Sequence, residues 1–290
     1  MEINRRMATE NTRPFLLFLV MMTALSLAPM LSHAAVFWDD EMEVFTGSGH
    51  GGGGTPTGGV NPLPTTADPQ GIFPMTADTA TKFSGAGSLR YNYTARCQVT
   101  DGSLGTQPCG GSTSRSFPYA DEHYGRVYLR VSQDFQWGAP NGQTKIFGVR
   151  STQGLSKLWF NFYFGLDMIV SAENTPDNGR TSNIPINFTM PREQWTCFEW
   201  HIKANNPPGT PNGILETWGN GVRTILRNDV QWRGTGNNSY FDYIHPYRQS
   251  GFGNIWLDRM ATGSTRIGCL GATSASDTAR PGPPQGLVIR

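Results

Sequence analysis

The feature that most restricts this chain is a device it repeats along most of its length. Short runs alternate apolar and polar side chains, and each run ends in Gly, Pro, Asn or Asp. In "YGRVYLRVSQDFQW" (124–137), Val127, Leu129 and Val131 stand opposite Arg126, Tyr128 and Arg130. In "EQWTCFEWHIKANN" (193–206), Phe198, Trp200 and Ile202 share one parity, and Cys197, Glu199, His201 and Lys203 share the other. A period of two is the geometry of a strand with one packed face. The same reading covers "GAGSLRYNYTARC" (85–97), "TKIFGVRS" (144–151), "KLWFNFYFGL" (157–166), "DMIVSAEN" (167–174) and "FGNIWLDRMATGS" (252–264). In "ILETWGNGVRTIL" (214–226), Asn220-Gly221 joins two such runs. That pair is a hairpin signal, because both central residues of a type I′ turn need positive φ. No stretch carries apolar spacing for a long amphipathic helix. About ten short strands joined by turns predict an all-β, antiparallel β-sandwich. No linker interrupts 72–270, so one core is expected.

The termini have a different character. "MEINRRMATENTRP" carries Arg5, Arg6 and Arg13, an apolar run follows, and "SHA" precedes Ala35. This is the layout of a secretory signal, with cleavage after Ala34; an uncleaved anchor is the alternative. The expected organisation is a signal peptide over 1–34, a sandwich domain over 35–271 and a loose tail over 272–290. The Gly/Pro/Thr stretch 47–71 cannot hold regular structure and is either a flexible excursion or a lid. Removing the signal takes away three of 23 basic and two of 22 acidic residues, leaving 20 of each. A neutral chain argues against nucleic acid as a partner, which needs a basic excess. No stable membrane association is expected after cleavage, and a secreted monomer is the simplest state.

Four cysteines lie in the mature part, and an exported chain meets an oxidising compartment. Three pairings are possible. Cys97–Cys109 and Cys197–Cys269 are favoured, the first closing a Gly-rich loop and the second tying a central strand to the last one. No C-x-x-C occurs and no His stands at ligand spacing from a Cys, so no zinc site is expected. No cofactor is required. Structural calcium is conceivable on "WDDEMEV" (38–44) together with Asp258, against the plain reading of acidic surface.

If Phe198 and Trp200 face the core, the reverse face collects polar groups. It is expected to gather Arg126, Tyr128, Arg130, Lys145, Trp159, Asn161, Tyr163, Glu199, His201, Lys203, Glu216 and Trp218 on neighbouring strands. Aromatic rings stack on sugar faces, while amides, carboxylates and guanidinium groups bind hydroxyls and carboxylates directionally. The bland alternative is an ordinary solvated sheet face. His201 is the strongest candidate among the histidines, with an acid and an amine two residues away on its own face. His123, at a strand entry, is expected at the surface or in local hydrogen bonding, and His245, before a proline in an aromatic loop, is expected to be structural. The triplets at Asn92, Asn187 and Asn237 fit the N-glycosylation pattern, which matters only in a host that glycosylates.

In the order in which they occur, "WDDEMEV", "KFSGAGSLRYNY", the "YGRVYLRVSQDF…TKIFGVRS" pair, "QWTCFEWHIKAN", "NGILETWGNGV" and "NIWLDRMATGSTRIGC" resemble concanavalin A-like jelly-roll domains. They resemble most the polysaccharide-lyase branch related to heparin, alginate and glucuronan lyases. The resemblance covers about 36–270. It implies β-elimination on a uronate polysaccharide. A cation or amide neutralises the carboxylate (Arg126, Arg130 or Asn161), a base removes the C5 proton (His201 or Lys203), and an acid protonates the leaving oxygen (Tyr163 or Tyr128). The R-x-E-x-R and Q-I-H strands of one alginate lyase group are absent, as is the E-x-D-x-x-E strand of retaining glucanases. Paired-carboxylate hydrolysis is therefore not expected. A non-catalytic carbohydrate-binding domain and a structural exported protein are the alternatives.

Overall fold

The computed structural model describes residues 36–40, 42, 75–93, 111–112, 115–137, 142–151, 157–173, 183–248 and 251–271. The expected signal, the 47–71 stretch, Cys97, Cys109 and the tail lie outside them. The described residues form strands only: β1 (Val36–Asp40), β2 (Met75–Asp78), β3 (Ser88–Tyr93), β4 (Gly111–Ser112), β5 (Arg115–Ala120), β6 (Glu122–Val131), β7 (Gln143–Arg150), β8 (Lys157–Tyr163), β9 (Asp167–Glu173), β10 (Ile184–Thr189), β11 (Thr196–Lys203), β12 (Gly213–Gly219), β13 (Val222–Val230), β14 (Phe241–Arg248) and β15 (Gly253–Gly263). They build two antiparallel sheets. One has the order β13-β12-β11-β6-β15-β3-β2, with β1 also on β15; the other runs β10-β9-β8-β7-β14-β4, with β5 also on β14. The all-β sandwich expected from the alternation is the fold observed.

The parity of β11 sets the layers. Phe198, Trp200 and Ile202 point inward and are fully buried. From the facing sheet come Phe147 and Phe160, whose rings lie 5.0 and 5.7 Å from Trp200. Aromatic side chains of this size dominate core energetics, each burying on the order of 200 Å². Room for Trp200 is made on β6: a Cβ at Gly125 would stand 1.9 Å from the indole. His123, also inward, is fully buried; its Nε2 accepts from Trp200 Nε1 at 3.1 Å and its ring stacks on Phe117. A surface or locally hydrogen-bonded His123 was expected; instead the inward parity of β6 buries it in the core, and its bond reaches Trp200 on β11. Asn220 and Gly221 both adopt positive φ, 51° and 80°, in the β12–β13 turn, as the Asn-Gly signal requires.

Two further sequence expectations fail here. Strands β6, β7 and β8 do not share a sheet: β6 lies between β11 and β15, while β7 lies between β8 and β14. The chain crosses from one sheet to the other after β6, so adjacency in sequence is not adjacency in space. "YIHPYRQ", an aromatic loop by expectation, is most of β14. A proline removes a ladder hydrogen bond, yet Pro246 sits in register opposite Phe147, inside the second sheet.

Candidate functional site

The predicted polar row is divided between the two outward faces of the sandwich. Arg126, Tyr128, Arg130, Glu199, His201, Lys203, Glu216 and Trp218 stand on the eight-stranded sheet. Lys145, Trp159, Asn161 and Tyr163 stand on the seven-stranded one. A single site built from all twelve is therefore not formed.

On the eight-stranded sheet the central groups are covered. After β15 the segment 264–271 folds back across the outer face, where the Cys197–Cys269 disulfide holds it, as the favoured pairing anticipated. Cys269 lies beyond the last strand rather than on it. Beneath this strap Glu199, 1% exposed, accepts from the Gly268 amide at 2.9 Å and from Arg266 at 2.9 and 3.2 Å. Arg126, 2% exposed, donates to the Gly268 carbonyl at 3.2 Å and to Asp39 at 2.9 Å. Tyr128 accepts from the Leu270 amide, and its ring stacks on Phe83 with centroids 3.7 Å apart. The Arg266 guanidinium sits 4.3 Å above the Trp218 ring, so that face of the indole is occupied. Asp39 also binds Arg259, and Asp258 accepts from the Phe83 and Ser84 amides, so a calcium ion on these carboxylates would compete with bonds already made.

These groups act as anchors for the strap. Reduction of the disulfide is expected to lower Tm. A loop of 72 residues sets a ceiling of about 4 kcal/mol, and the Glu199 and Arg126 bonds that remain keep the loss below it. Under reducing conditions a Cys197→Ser/Cys269→Ser variant should melt where the reduced wild type does. Equal melting of oxidised and reduced wild type would deny the strap its stabilising role.

At the near end of the same face stands His201, 5% exposed. Its Nε2 lies 2.9 Å from Glu122 and its Nδ1 3.4 Å from Glu216, while Tyr124 stacks on the ring at 4.0 Å. Lys203 pairs with Glu122 at 2.8 Å, and Arg223 with Glu216 at 3.3 Å. Burial alone would raise the Glu122 carboxyl, but hydrogen bonds from Lys203 and His201 hold it below its ordinary value. Glu216 is depressed in the same way against its burial, by His201 and Arg223. Burial and the two carboxylates push the Tyr124 phenol up to about 12. Both imidazole nitrogens are thus occupied. Arg130 pairs with Glu193 at 2.6 Å, towards the far end of β6.

The outer face of the seven-stranded sheet is built differently. Gly148 stands between Trp159 of β8 and His245 of β14 in register, and Arg150 stands opposite Tyr243. A Cβ at Gly148 would come within 2.7 Å of the Trp159 ring, so glycine lets the indole lie flat across β7. Around that ring gather Lys145 at 4.6 Å, Arg150 at 5.6 Å, Tyr247 at 5.3 Å and His245 at 5.7 Å. His245 and Tyr247 stack on each other at 5.6 Å, and Arg150 lies 5.4 Å from the Tyr243 ring. Lys145 pairs with Glu173 of β9. Asn161 is fully buried and donates to Ser171 Oγ at 2.6 Å. Tyr163 ends the row beside Phe164.

The two phenols on this face are held neutral. Burial raises Tyr247, and Glu173 adds to the shift; burial also raises Tyr243, against the pull of Arg150. Both remain protonated donors at neutral pH. Among the described residues Arg150 has no carboxylate partner. Its Nε, Trp159 Nε1 and Asn161 Oδ1 are buried with no hydrogen-bond partner. Buried polar atoms are satisfied in the great majority of cases, so three such atoms on one face call for an explanation. Sequence reasoning missed Arg150, Tyr243, His245 and Tyr247. The alternation Tyr243-His245-Tyr247 was available as a signal, but Pro246 hid it.

The two sheets and their order make an antiparallel sandwich of the jelly-roll type. Among solved structures, the chain is similar to the PL-14 alginate lyase from Aplysia kurodai, with TM-score 0.51 and 12% identity over 80% of this chain and all of that one. It is also similar to the cellulose-induced protein Cip1, with TM-score 0.49 and 17% identity over 80% of this chain and 99% of that one. A third is the endo-β-1,4-glucuronan lyase from Trichoderma reesei, with TM-score 0.47 and 16% identity over 66% and 87%. No protein-family model and no curated protein sequence matches the chain.

Proposed function

We propose that the protein is a secreted polysaccharide lyase that cleaves uronate chains by β-elimination on the outer face of the seven-stranded sheet. The observation that carries this reading is the contrast between the two faces. On the eight-stranded sheet the strap and the ion pairs engage Glu199, Arg126, Tyr128, Trp218 and His201. On the seven-stranded sheet, cations, phenols and an imidazole surround Trp159, and three buried polar atoms have hydrogen-bonding capacity left over. The Cys197–Cys269 bond fits an oxidising compartment.

Arg150 would take the uronate carboxylate, helped by Lys145, while Asn161 Oδ1 would accept from a sugar hydroxyl. Neutralising that charge makes the C5 proton acidic, because the developing enolate is stabilised by the same cation. His245 would accept the C5 proton. The electron pair left behind forms the C4–C5 double bond, the C4–O bond breaks, and Tyr247 protonates the departing oxygen. A raised phenol suits a donor, since it holds its proton at neutral pH. Tyr163 would border the chain at the end of β8.

The test is ultraviolet absorbance of unsaturated uronate on a panel of alginate, glucuronan, heparin and pectate. A rising signal on at least one polymer is expected, and Arg150→Ala should cut it at least a hundredfold. A flat trace on every polymer with folded protein would refute the lyase reading and leave carbohydrate binding as the successor.

A further inference from the structure

The position of Lys145 poses a problem for any ligand. Trp159 is only 4% exposed. The Lys145 ammonium lies over its ring, and the side chain, starting on β7, crosses β8 to reach Glu173 on β9. The pair forms a bar across the aromatic patch. Lys145 keeps little exposure along this path, while Glu173 at the far end remains 40% exposed. A ligand approaching from solvent therefore meets the anion of the pair first.

We infer that Glu173 stands in for the substrate carboxylate, holding Lys145 across Trp159 until an anionic sugar takes the ammonium over. This rests on the reading of the same face as a uronate site and adds a specificity device to it. A neutral sugar offers no charge to replace Glu173, so the bar stays closed and Trp159 stays covered. A uronate supplies an equivalent carboxylate, so the exchange conserves one ion pair and frees the ring. Glu173 is a positioning and specificity residue: it competes with substrate and does not touch the reacting atoms. The cost of opening is that of a half-exposed ion pair, which sets the size of the effect.

The test is calorimetric binding of a uronate trisaccharide, and of the same trisaccharide with its carboxyls reduced to alcohols. Glu173→Gln is expected to bind the charged trisaccharide about two- to fivefold more tightly than wild type. In a Lys145→Gln background the same change should have no effect, which closes a double-mutant cycle. Structural damage does not tighten binding, so the gain separates this role from a merely supporting one. Glu173→Gln should also lower the Tyr247 ionisation midpoint in a spectroscopic titration, confirming in the folded variant that the carboxylate faces the patch. Unchanged or weaker affinity in Glu173→Gln, or an equal gain for the reduced sugar, overturns the inference alone. No uronate binding by wild type overturns it together with the substrate class. Binding with the expected gain but no turnover keeps it and removes only the chemistry.

Discussion

His245→Ala should reduce β-elimination about 10²- to 10⁴-fold, the usual worth of a general base, while His201→Ala leaves the rate near wild type and lowers Tm. The two histidines differ in what surrounds them. His201 has a carboxylate at each ring nitrogen, at 2.9 and 3.4 Å. The two glutamates hold both nitrogens of His201 and would also repel a uronate chain. Removing His201 leaves Glu122 and Glu216 without their shared partner, a loss of about 1–3 kcal/mol. His245 stands beside Arg150, Lys145 and Tyr247, where an anion is attracted and a phenol can return the proton. Both variants are compared by initial rate on the polymer that wild type cleaves, with melting curves alongside. A silent His245→Ala, or a dead His201→Ala with unchanged Tm, would return the chemistry to the eight-stranded sheet.

Such an exchange of histidines shows which structural levels the sequence carries. Alternation reports face, and it did so faithfully: Phe198, Trp200 and Ile202 are inward, and Glu199, His201 and Lys203 outward. The Asn220-Gly221 hairpin and the Cys197–Cys269 pairing were legible because each rests on local chemistry or on a small set of pairings. Alternation does not report neighbours. Nothing in the period of "TKIFGVRS" says whether it lies beside β6 or across the core from it, and that choice separated Lys145 and Trp159 from Arg126 and Glu199. Nor can a strand show what lies on top of its outer face. Glu199 and Arg126 have the composition of a binding surface, but the strap claims their bonds. The most informative strand, β14, was obscured by a rule that is sound on average: proline discourages an interior strand. Here the other sequence signals of a site, two phenols and an imidazole at alternate positions, lay on either side of that proline.

The largest stability effect should come from His123, which no reading of function requires. Burial in the core, with a contribution from the charge of His201, pulls its imidazole down to about 3. The unfolded chain takes a proton near the ordinary value of about 6.5, whereas the folded protein refuses it until about 3. The unfolded state therefore binds more protons across this window, and stability falls as pH falls. The slope is about 1.4 kcal/mol per pH unit, reaching about 5 kcal/mol in all. Glu122 and Glu216 lose their own contribution only as pH drops below their ordinary value of 4.5. The interval from 6.5 to 4.5 thus isolates His123 from them and should cost about 2 kcal/mol. His123→Gln keeps an acceptor for Trp200 Nε1 and removes the titration. That variant should be less stable than wild type at pH 7.5, because it loses the stacking on Phe117. Its denaturant midpoint should stay nearly flat down to pH 4.5, so the two stability curves converge. Parallel curves would mean that the protonated imidazole is accommodated in the core, and that acid unfolding begins at the carboxylates.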